Sequence, residues 1–188
     1  MTRVAEQTNA VKDYSPEEFL SLPDSEGYEL VDGHLVERNV SELSSCVGAR
    51  IIYLLQVENE KAREARVYGA DLSYKCFADR PKNYRRADVS LIRKSRIEGL
   101  DNPGMMPIPA DLVVEVLSPG DHVYDVNNKV ERYLANGFGL VWVVDPEVKI
   151  VYVHRADGSV TKLHENQPIT GEAALPSFRC EVREFFQI

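Results

Sequence analysis

Three carboxylates lie in segments whose patterns are typical of β-strands: Glu29, Asp88 and Glu115. Glu115 lies in the middle of the apolar run 112–117. A charge at such a position is costly unless it is paired or bound to a metal. Hard cations such as Mg²⁺ take oxygen ligands and keep several waters, so two carboxylates on adjacent strands could hold one. We interpret Glu115 as a metal ligand, the alternative being a buried structural ion pair.

Lys129 is a candidate partner for the carboxylate of Glu115. Asp125 and Lys129 are four residues apart in a segment with a helical pattern, so they share one side of the helix. Lys129 lies beside Val126 and Tyr133 on the helical wheel, at the edge of the buried face, and could aim its ammonium group at Glu115. The alternative is an intrahelical ion pair with Asp125, which would contribute only ~0.3–0.5 kcal/mol.

The other two carboxylates also have simpler explanations. Asp88 could be a strand-end carboxylate that pairs with Arg85 or Arg86. Glu29 could be an exposed strand residue, because fully buried glutamates are scarce. Taken singly, these alternatives are favoured, and the metal hypothesis depends on the ordered set of residues.

The elements that must position these residues include a βαβ unit. Residues 111–117 and 140–144 have the apolar runs of buried strands, and residues 122–137 between them have a helical pattern that Gly137 can end. Such strands should be parallel neighbours joined by a right-handed crossover. The strand that carries Asp88 is predicted at 86–92, followed by a long connection over 93–109.

The remaining patterns add helices and hairpins on either side. Ser15, Pro16 and Glu18 predict a short capped helix, and Asp32-Gly33 predicts a hairpin over 28–38. The helical periodicity of 41–63 predicts a long core helix. Further strands are predicted at 67–68, 72–77, 149–154 and 159–164, followed by a strand- and loop-like tail. The fold class is therefore α/β, a mixed β-sheet flanked by helices with antiparallel hairpin additions.

Length and composition favour one globular domain over residues 14–188, preceded by a flexible N-terminus over 1–13. No apolar run approaches the ~20 residues that cross a bilayer, so no membrane partner is expected. The three cysteines, Cys46, Cys76 and Cys180, are far apart and suggest neither a metal clip nor a disulfide framework. A cytoplasmic location is the simplest expectation.

The charge distribution is uneven. The net charge of −8 argues mildly against a nucleic-acid partner, since phosphate contacts need Lys and Arg. Residues 75–96, however, hold eight basic and two acidic residues, which is 8 − 2 = +6. The alternative to a DNA-binding segment is a solvated loop and strand edge, and the two are about equally favoured. The basic residues are Lys75, Arg80, Lys82, Arg85, Arg86, Arg93, Lys94 and Arg96.

The ordered set of motifs resembles the Uma-type restriction endonucleases, a branch of the PD-(D/E)XK phosphodiesterase superfamily. The resemblance spans about residues 14–155 and is most specific over 111–146. It implies a restriction-endonuclease-like fold, a central mixed sheet with the site on its cleft face. The matching segments are 28–33, 35–37, 88–90 and 111–119, with Asp125, Lys129, Tyr133, Gly137 and 141–146.

The resemblance also implies roles for individual residues. Asp88 resembles the first metal-binding acid of the superfamily and Glu115 the second. The usual lysine two residues after the second acid is Leu117 here, and Lys129 matches the helix lysine that the related family commonly has instead. Glu29 matches a recurrent family glutamate and is a further candidate metal ligand.

Three departures from the family pattern leave room for altered activity. Ala87 stands where the family has proline, Ser44 where it often has histidine, and 120–122 lacks the usual basic residue. A second hypothesis is therefore a catalytically weakened nuclease-fold module that binds DNA or protein.

The function that the resemblance implies is Mg²⁺- or Mn²⁺-dependent DNA endonuclease activity. Asp88, Glu115 and Lys129 would be catalytic. The basic segment, with Arg85, Arg86 and Lys82, would contact the DNA backbone. The need to cut two strands suggests a homodimer.

Overall fold

The computed structural model describes residues 12–100 and 104–188. The helices are α1 (Pro16–Leu20), α2 (Glu42–Ala62), α3 (Lys94–Ile97) and α4 (Val123–Ala135). The first six strands are β1 (Tyr28–Val31), β2 (His34–Glu37), β3 (Ala65–Gly69), β4 (Ser73–Tyr74), β5 (Arg85–Arg86) and β6 (Val89–Arg93). The other six are β7 (Leu112–Val116), β8 (Leu140–Asp145), β9 (Ile150–Arg155), β10 (Val160–His164), β11 (Pro168–Gly171) and β12 (Leu175–Glu181).

A six-stranded mixed sheet in the order β10-β9-β8-β7-β6-β3 forms the centre of the fold. Strands β7 and β8 are parallel, with Val113 opposite Val141, and their neighbours in the sheet are antiparallel. The crossover between them is α4, so the predicted βαβ unit is confirmed. The predicted α/β class with a mixed sheet is confirmed as well.

Apolar side chains cover both faces of this sheet because successive strand residues point to opposite sides. On one face α2 and the C-terminal segment pack against the strands, and on the other face α4 does so. The first layer includes Val47, Ile51, Leu55, Leu112, Val114, Trp142, Phe178 and Phe185. The second includes Val113, Val130, Tyr133, Phe138, Val141 and Val143.

Both N-terminal helix predictions are confirmed, and their caps explain where the helices begin. Ser15 and Glu18 form the predicted capping box before α1. Ser41 caps α2, with Ser44 closing a second box. Helix α2 ends at Arg63, whose φ of 55° lies in the left-handed region.

The β1–β2 hairpin is confirmed and has the predicted turn. Asp32 and Gly33 have φ values of 51° and 86°, as a two-residue turn with two positive φ angles requires. Leu30 also pairs with Tyr84, which joins the hairpin to the segment before β5. The hairpin therefore lies beside the residues that lead into β6.

Several predicted elements between residues 67 and 109 differ from the structure. The strand predicted at 86–92 is divided into β5 and β6, and Asp88 lies between them outside either strand. The strand predicted at 72–77 is only β4, while the one predicted at 67–68 is the longer β3. The connection predicted at 93–109 contains α3. Most of the predicted flexible segment 1–13 lies outside the described residues. In the described ranges, no helix is both long enough and apolar enough to cross a membrane.

Candidate active site

Strand β7 carries Glu115 on the face of the sheet that α4 covers. The side chain is buried, and two donors from α4 hold its carboxylate. Tyr133 Oη donates to Glu115 Oε1 at 2.9 Å, and Lys129 Nζ donates to Oε2 at 2.8 Å. Each oxygen retains a further lone pair, so the carboxylate is oriented without being saturated.

Lys129 reaches across from α4 to the sheet. Its Nζ also lies 3.2 Å from Glu29 Oε1 and donates to the Arg86 carbonyl at 3.1 Å. Burial alone would lower the pKa of Lys129, but the charges of Glu115, Glu29 and Asp88 outweigh it and raise the pKa. Lys129 is therefore a protonated ammonium at neutral pH.

Glu29 is buried, so the expectation of an exposed strand carboxylate is wrong. Its Oε1 accepts from the Arg86 backbone N–H at 2.6 Å, and its Oε2 accepts from Arg85 Nη1 at 3.1 Å. Burial would raise the pKa of Glu29, but Lys129 and Arg85 lower it. Glu29 is thus an ionised carboxylate whose oxygens are both occupied by cations or N–H groups.

Asp88 lies just before β6 and is half-buried. Its Oδ2 accepts from the Val116 backbone N–H at 2.7 Å, which ties it to β7. Its Oδ1 has a longer contact, 3.6 Å to Arg38 Nη2. The alternative pairing with Arg85 or Arg86 does not occur. Burial raises the pKa of Asp88 despite the opposing charge of Lys129.

Two effects disfavour the charged form of Glu115, namely its burial and the charges of neighbouring carboxylates. Burial, followed by the charges of Asp88 and Glu29, raises the pKa of Glu115 to about 7, although Lys129 opposes this. An added cation near Glu115 and Asp88 would relieve this repulsion.

These side chains line one cleft with a volume of about 240 Å³. Its walls come from the β1–β2 hairpin, the loop before α2, the loop after β7 and α4. Asn39 Nδ2 donates to Asp121 Oδ1 at 3.1 Å, which joins the two loops. The lining includes Glu29, Arg38, Asp88, Glu115, Lys129 and Arg132.

The donor set fits a hard divalent cation held by two carboxylates. Asp88 and Glu115 supply oxygen ligands, and Mg²⁺ commonly takes one or two carboxylates with waters and a phosphate oxygen. Glu29 fits this role poorly because its oxygens already bind Lys129, Arg85 and a backbone N–H. Within residues 12–100 and 104–188, no group of three His, Cys, Asp or Glu residues is arranged to hold a metal ion.

The predicted DNA contacts of Arg85 and Arg86 need correction because both side chains are buried. Arg85 pairs with Glu29, whereas Arg86 donates to Ser73 Oγ at 2.7 Å and to the Glu26 carbonyl at 2.6 Å. Their charge stabilises the interior of the site rather than an exposed surface. Lys82 is partly exposed and pairs with Asp13.

Two residues of the site, Tyr133 and Arg38, have chemical roles that the sequence patterns did not predict. Tyr133 follows Lys129 by four residues, so the helical spacing could have indicated that both face Glu115. Arg38 lies in an irregular segment after β2, and no local pattern relates it to Asp88.

The structure also shows what surrounds the residues that depart from the family pattern. Leu117 lies two residues beyond Glu115 and packs among the apolar residues under α4. Ser44 is buried at the start of α2, where Ser118 Oγ donates to its Oγ at 2.8 Å. The loop that holds Asp121 and His122 borders the cleft without an Arg.

Comparisons with known proteins identify a family and a similar fold. The model of the family Uma2, described as "Putative restriction endonuclease", matches residues 16–183. A crystal structure from Anabaena variabilis, of "a putative nuclease belonging to DUF820", has the same fold with a TM-score of 0.79 and 20% sequence identity. The alignment covers 90% of this chain and 96% of that one. Among curated proteins, none matches the chain.

Proposed function

The chain belongs to the Uma2 family, and on that premise we propose that it is a metal-dependent DNA endonuclease that hydrolyses phosphodiester bonds. The family description supports nuclease function and, with it, a DNA substrate. We further propose the metal dependence, the hydrolytic step and the residues that perform it.

One observation carries the proposal. Lys129 Nζ lies 2.8 Å from Glu115 Oε2, and Asp88 lines the same cleft with one oxygen that has no closer cation than Arg38 at 3.6 Å. Two carboxylates, one from β7 and one from the segment just before β6, therefore converge with a lysine of α4. A purely structural ion pair would not require the second carboxylate.

Asp88 and Glu115 would hold Mg²⁺ or Mn²⁺ through their carboxylate oxygens. When bound, the ion would supply Lewis-acid stabilisation of the charge that develops on the scissile phosphate. Tyr133 fixes the orientation of Glu115 with its hydroxyl group, and the Val116 N–H fixes Asp88. The two ligands are therefore held before a substrate arrives, which reduces the cost of ordering them.

Lys129 would position the attacking water and stabilise negative charge in the transition state. Its raised pKa excludes it as a general base at neutral pH and suits it to hydrogen-bond donation. Glu29 holds the ammonium group from the hairpin side, so it acts as a positioning residue for Lys129. Arg38, at the side of Asp88, is a candidate contact for a phosphate oxygen.

A second candidate function is a catalytically weakened nuclease-fold module that binds DNA or protein. Leu117 in place of a strand lysine favours it, as does the engagement of both Glu115 oxygens by Tyr133 and Lys129. In that case the lysine would replace the cation permanently instead of cooperating with it.

Plasmid nicking tests the nuclease proposal. Purified protein with Mg²⁺ or Mn²⁺ should nick supercoiled DNA, and Glu115→Gln should abolish the activity. Glu60→Gln, an exposed acid near the end of α2, is the matched control and should cut like the wild type. Cleavage that survives Glu115→Gln would come from a contaminant and would refute the assignment.

Isothermal titration calorimetry separates the two functions. The endonuclease should bind Mn²⁺ with millimolar or tighter affinity and lose that binding in Asp88→Asn. A wild-type protein that binds neither Mg²⁺ nor Mn²⁺ at millimolar concentration would support the binding module.

Two further expectations belong to this proposal. A homodimer would bring two clefts to the two strands of a duplex, and analytical ultracentrifugation measures that state. A cytoplasmic location would give the enzyme its DNA substrate and a reducing environment for its three cysteines.

A further inference from the structure

Two exposed apolar residues lie on the first turn of α4, between residues that line the cleft. Val123 and Tyr124 are each 76% exposed, the highest values among the large hydrophobic residues that the structure describes. His122 before them and Asp125 after them line the cleft. Large apolar groups exposed beside a binding cleft commonly mark a contact surface.

Exposed apolar residues also lie on the hairpin side of the cleft. Val36 lines the cleft, and Val40 directly follows Asn39, which lines it too. Of the nine exposed large hydrophobic residues in the described ranges, Val36 lines the cleft, and Val40, Val123 and Tyr124 each directly adjoin in sequence a residue that lines it. The hydrogen bond between Asn39 and Asp121 brings the two sides together.

The basic segment 75–96 offers little charge to a DNA duplex. Six of its eight basic residues are engaged within the protein, five in ion pairs and Arg86 with Ser73 and backbone carbonyls. The ion pairs are Arg80–Asp32, Lys82–Asp13, Arg85–Glu29, Arg93–Asp111 and Arg96–Asp111. Duplex binding depends on many phosphate contacts, so another source of affinity is needed.

The cleft itself favours one strand over two. Its volume of about 240 Å³ is below the roughly 300–1,000 Å³ of typical small-ligand pockets. Glu115, inside it, is only 8% exposed, so a phosphate must enter to reach it.

We infer that the substrate is DNA whose strand is unpaired at the cutting site, and that Tyr124 stacks on a base beside the scissile phosphate. The inference rests on the proposed nuclease function. Tyr124 lies one helical turn before Asn128, which lines the cleft, so the two residues share one side of α4. Stacking on an aromatic ring needs no particular base, because every base has a π-face.

The probe is a single-stranded oligonucleotide that contains 2-aminopurine, whose fluorescence falls when the base stacks. It is titrated with protein in Ca²⁺, and a gel checks that the strand stays intact. Tyr124→Ala should weaken binding by roughly 5- to 100-fold and remove most of the quenching, since one stacked base contributes that much. Tyr124→Phe keeps the ring and should bind within about twofold of the wild type. Tyr53→Ala, an exposed tyrosine on α2 outside the cleft, should bind as the wild type does.

A matched duplex and plasmid nicking by the same preparations separate the possible outcomes. The inference is supported if the wild type binds the duplex more weakly than the single strand, and if Tyr124→Ala is the one variant that loses affinity for the single strand. Plasmid nicking with equal or tighter duplex binding and no effect of Tyr124→Ala overturns the inference and leaves the nuclease proposal standing. If the wild-type protein neither binds nor cuts either DNA, both the stacking inference and the nuclease proposal are overturned. A change of oligomeric state in Tyr124→Ala would make the first turn of α4 a self-contact and overturn the stacking role.

Discussion

Lys129 Nζ lies 3.2 Å from Glu29 Oε1, so a residue of helix α4 is held by a residue of the β1–β2 hairpin. The same ammonium group lies 2.8 Å from Glu115 Oε2. The lysine therefore joins three elements, and its position depends on a carboxylate far from it in the sequence. This arrangement leads to four predictions.

Lys129→Met should remove both the counter-ion and the transition-state donor. Cleavage should fall at least ~100-fold, the usual loss for one preorganised donor. The metal-free variant should also unfold about 3 kcal/mol more easily, because Glu115 and Glu29 lose a buried partner. Urea denaturation and plasmid nicking measure these effects, with the exposed Lys61→Met as control. Equal stability of the variant and the wild type would show that the contacts contribute nothing.

Glu29→Gln distinguishes a positioning residue from a metal ligand. The substitution keeps the shape but removes the charge that holds Lys129 and Arg85, so we expect a lower turnover number. The Mn²⁺ dissociation constant should change less than about threefold in Glu29→Gln. In Asp88→Asn it should rise by more than ~10-fold, because even the loss of an outer-shell partner of a metal can cost that much. Calorimetry on both variants gives the comparison. If Glu29→Gln loses as much metal affinity as Asp88→Asn, Glu29 is a ligand.

Tyr133→Phe removes a single hydroxyl group and leaves the ring packed on Phe138, whose centroid is 4.6 Å away. The lost hydrogen bond to Glu115 should cost about 1–2 kcal/mol of stability. Cleavage should fall several-fold because Glu115 is less well oriented. Tyr74→Phe is the control, since its buried hydroxyl donates to Ser90 at 2.7 Å outside the cleft. A similar loss of activity in both variants would indicate a general packing effect.

In metal-free protein, Glu115 should make stability depend on pH. Its folded pKa of about 7 exceeds its ordinary value of 4.5, so the folded state binds the proton more tightly. The free energy of unfolding should therefore fall as the pH rises from about 4.5 to about 7. The raised pKa of Asp88 contributes a pH dependence of the same sign. The lowered pKa of Glu29 affects the free energy of unfolding only below this pH window.

Glu115→Gln cannot titrate and should lack most of this slope. Urea denaturation in EDTA at pH 5, 6, 7 and 8 measures it. The stability of the variant relative to the wild type should improve from pH 5 to about pH 7 and then level off toward pH 8. Parallel curves would mean that Glu115 has an ordinary pKa in the folded protein.

The sequence predicts the elements whose patterns are local. The apolar runs around α4 identify the βαβ unit, and the capping residues identify the starts of α1 and α2. The position of Lys129 relative to Glu115 follows from the same patterns, because helical spacing and strand alternation decide which side chains face one another.

The burial of Glu29, Arg85 and Arg86 could not be read from the sequence. The strand β1 has two consecutive buried residues, Glu29 and Leu30, instead of an alternating pattern. Its burial depends on the contact between the hairpin and the segment before β5, about 55 residues later. A cluster of charges is normally solvated, and only this long-range pairing encloses it.

The ion pair between Lys129 and Glu115 also bears on when a metal could be loaded. Many small metal-binding domains remain unfolded until the metal binds. Here the ammonium group supplies part of the neutralising charge within the chain itself. On the proposed function, the protein would complete its folding before it binds an ion, so a chelator would stop the activity without unfolding the domain.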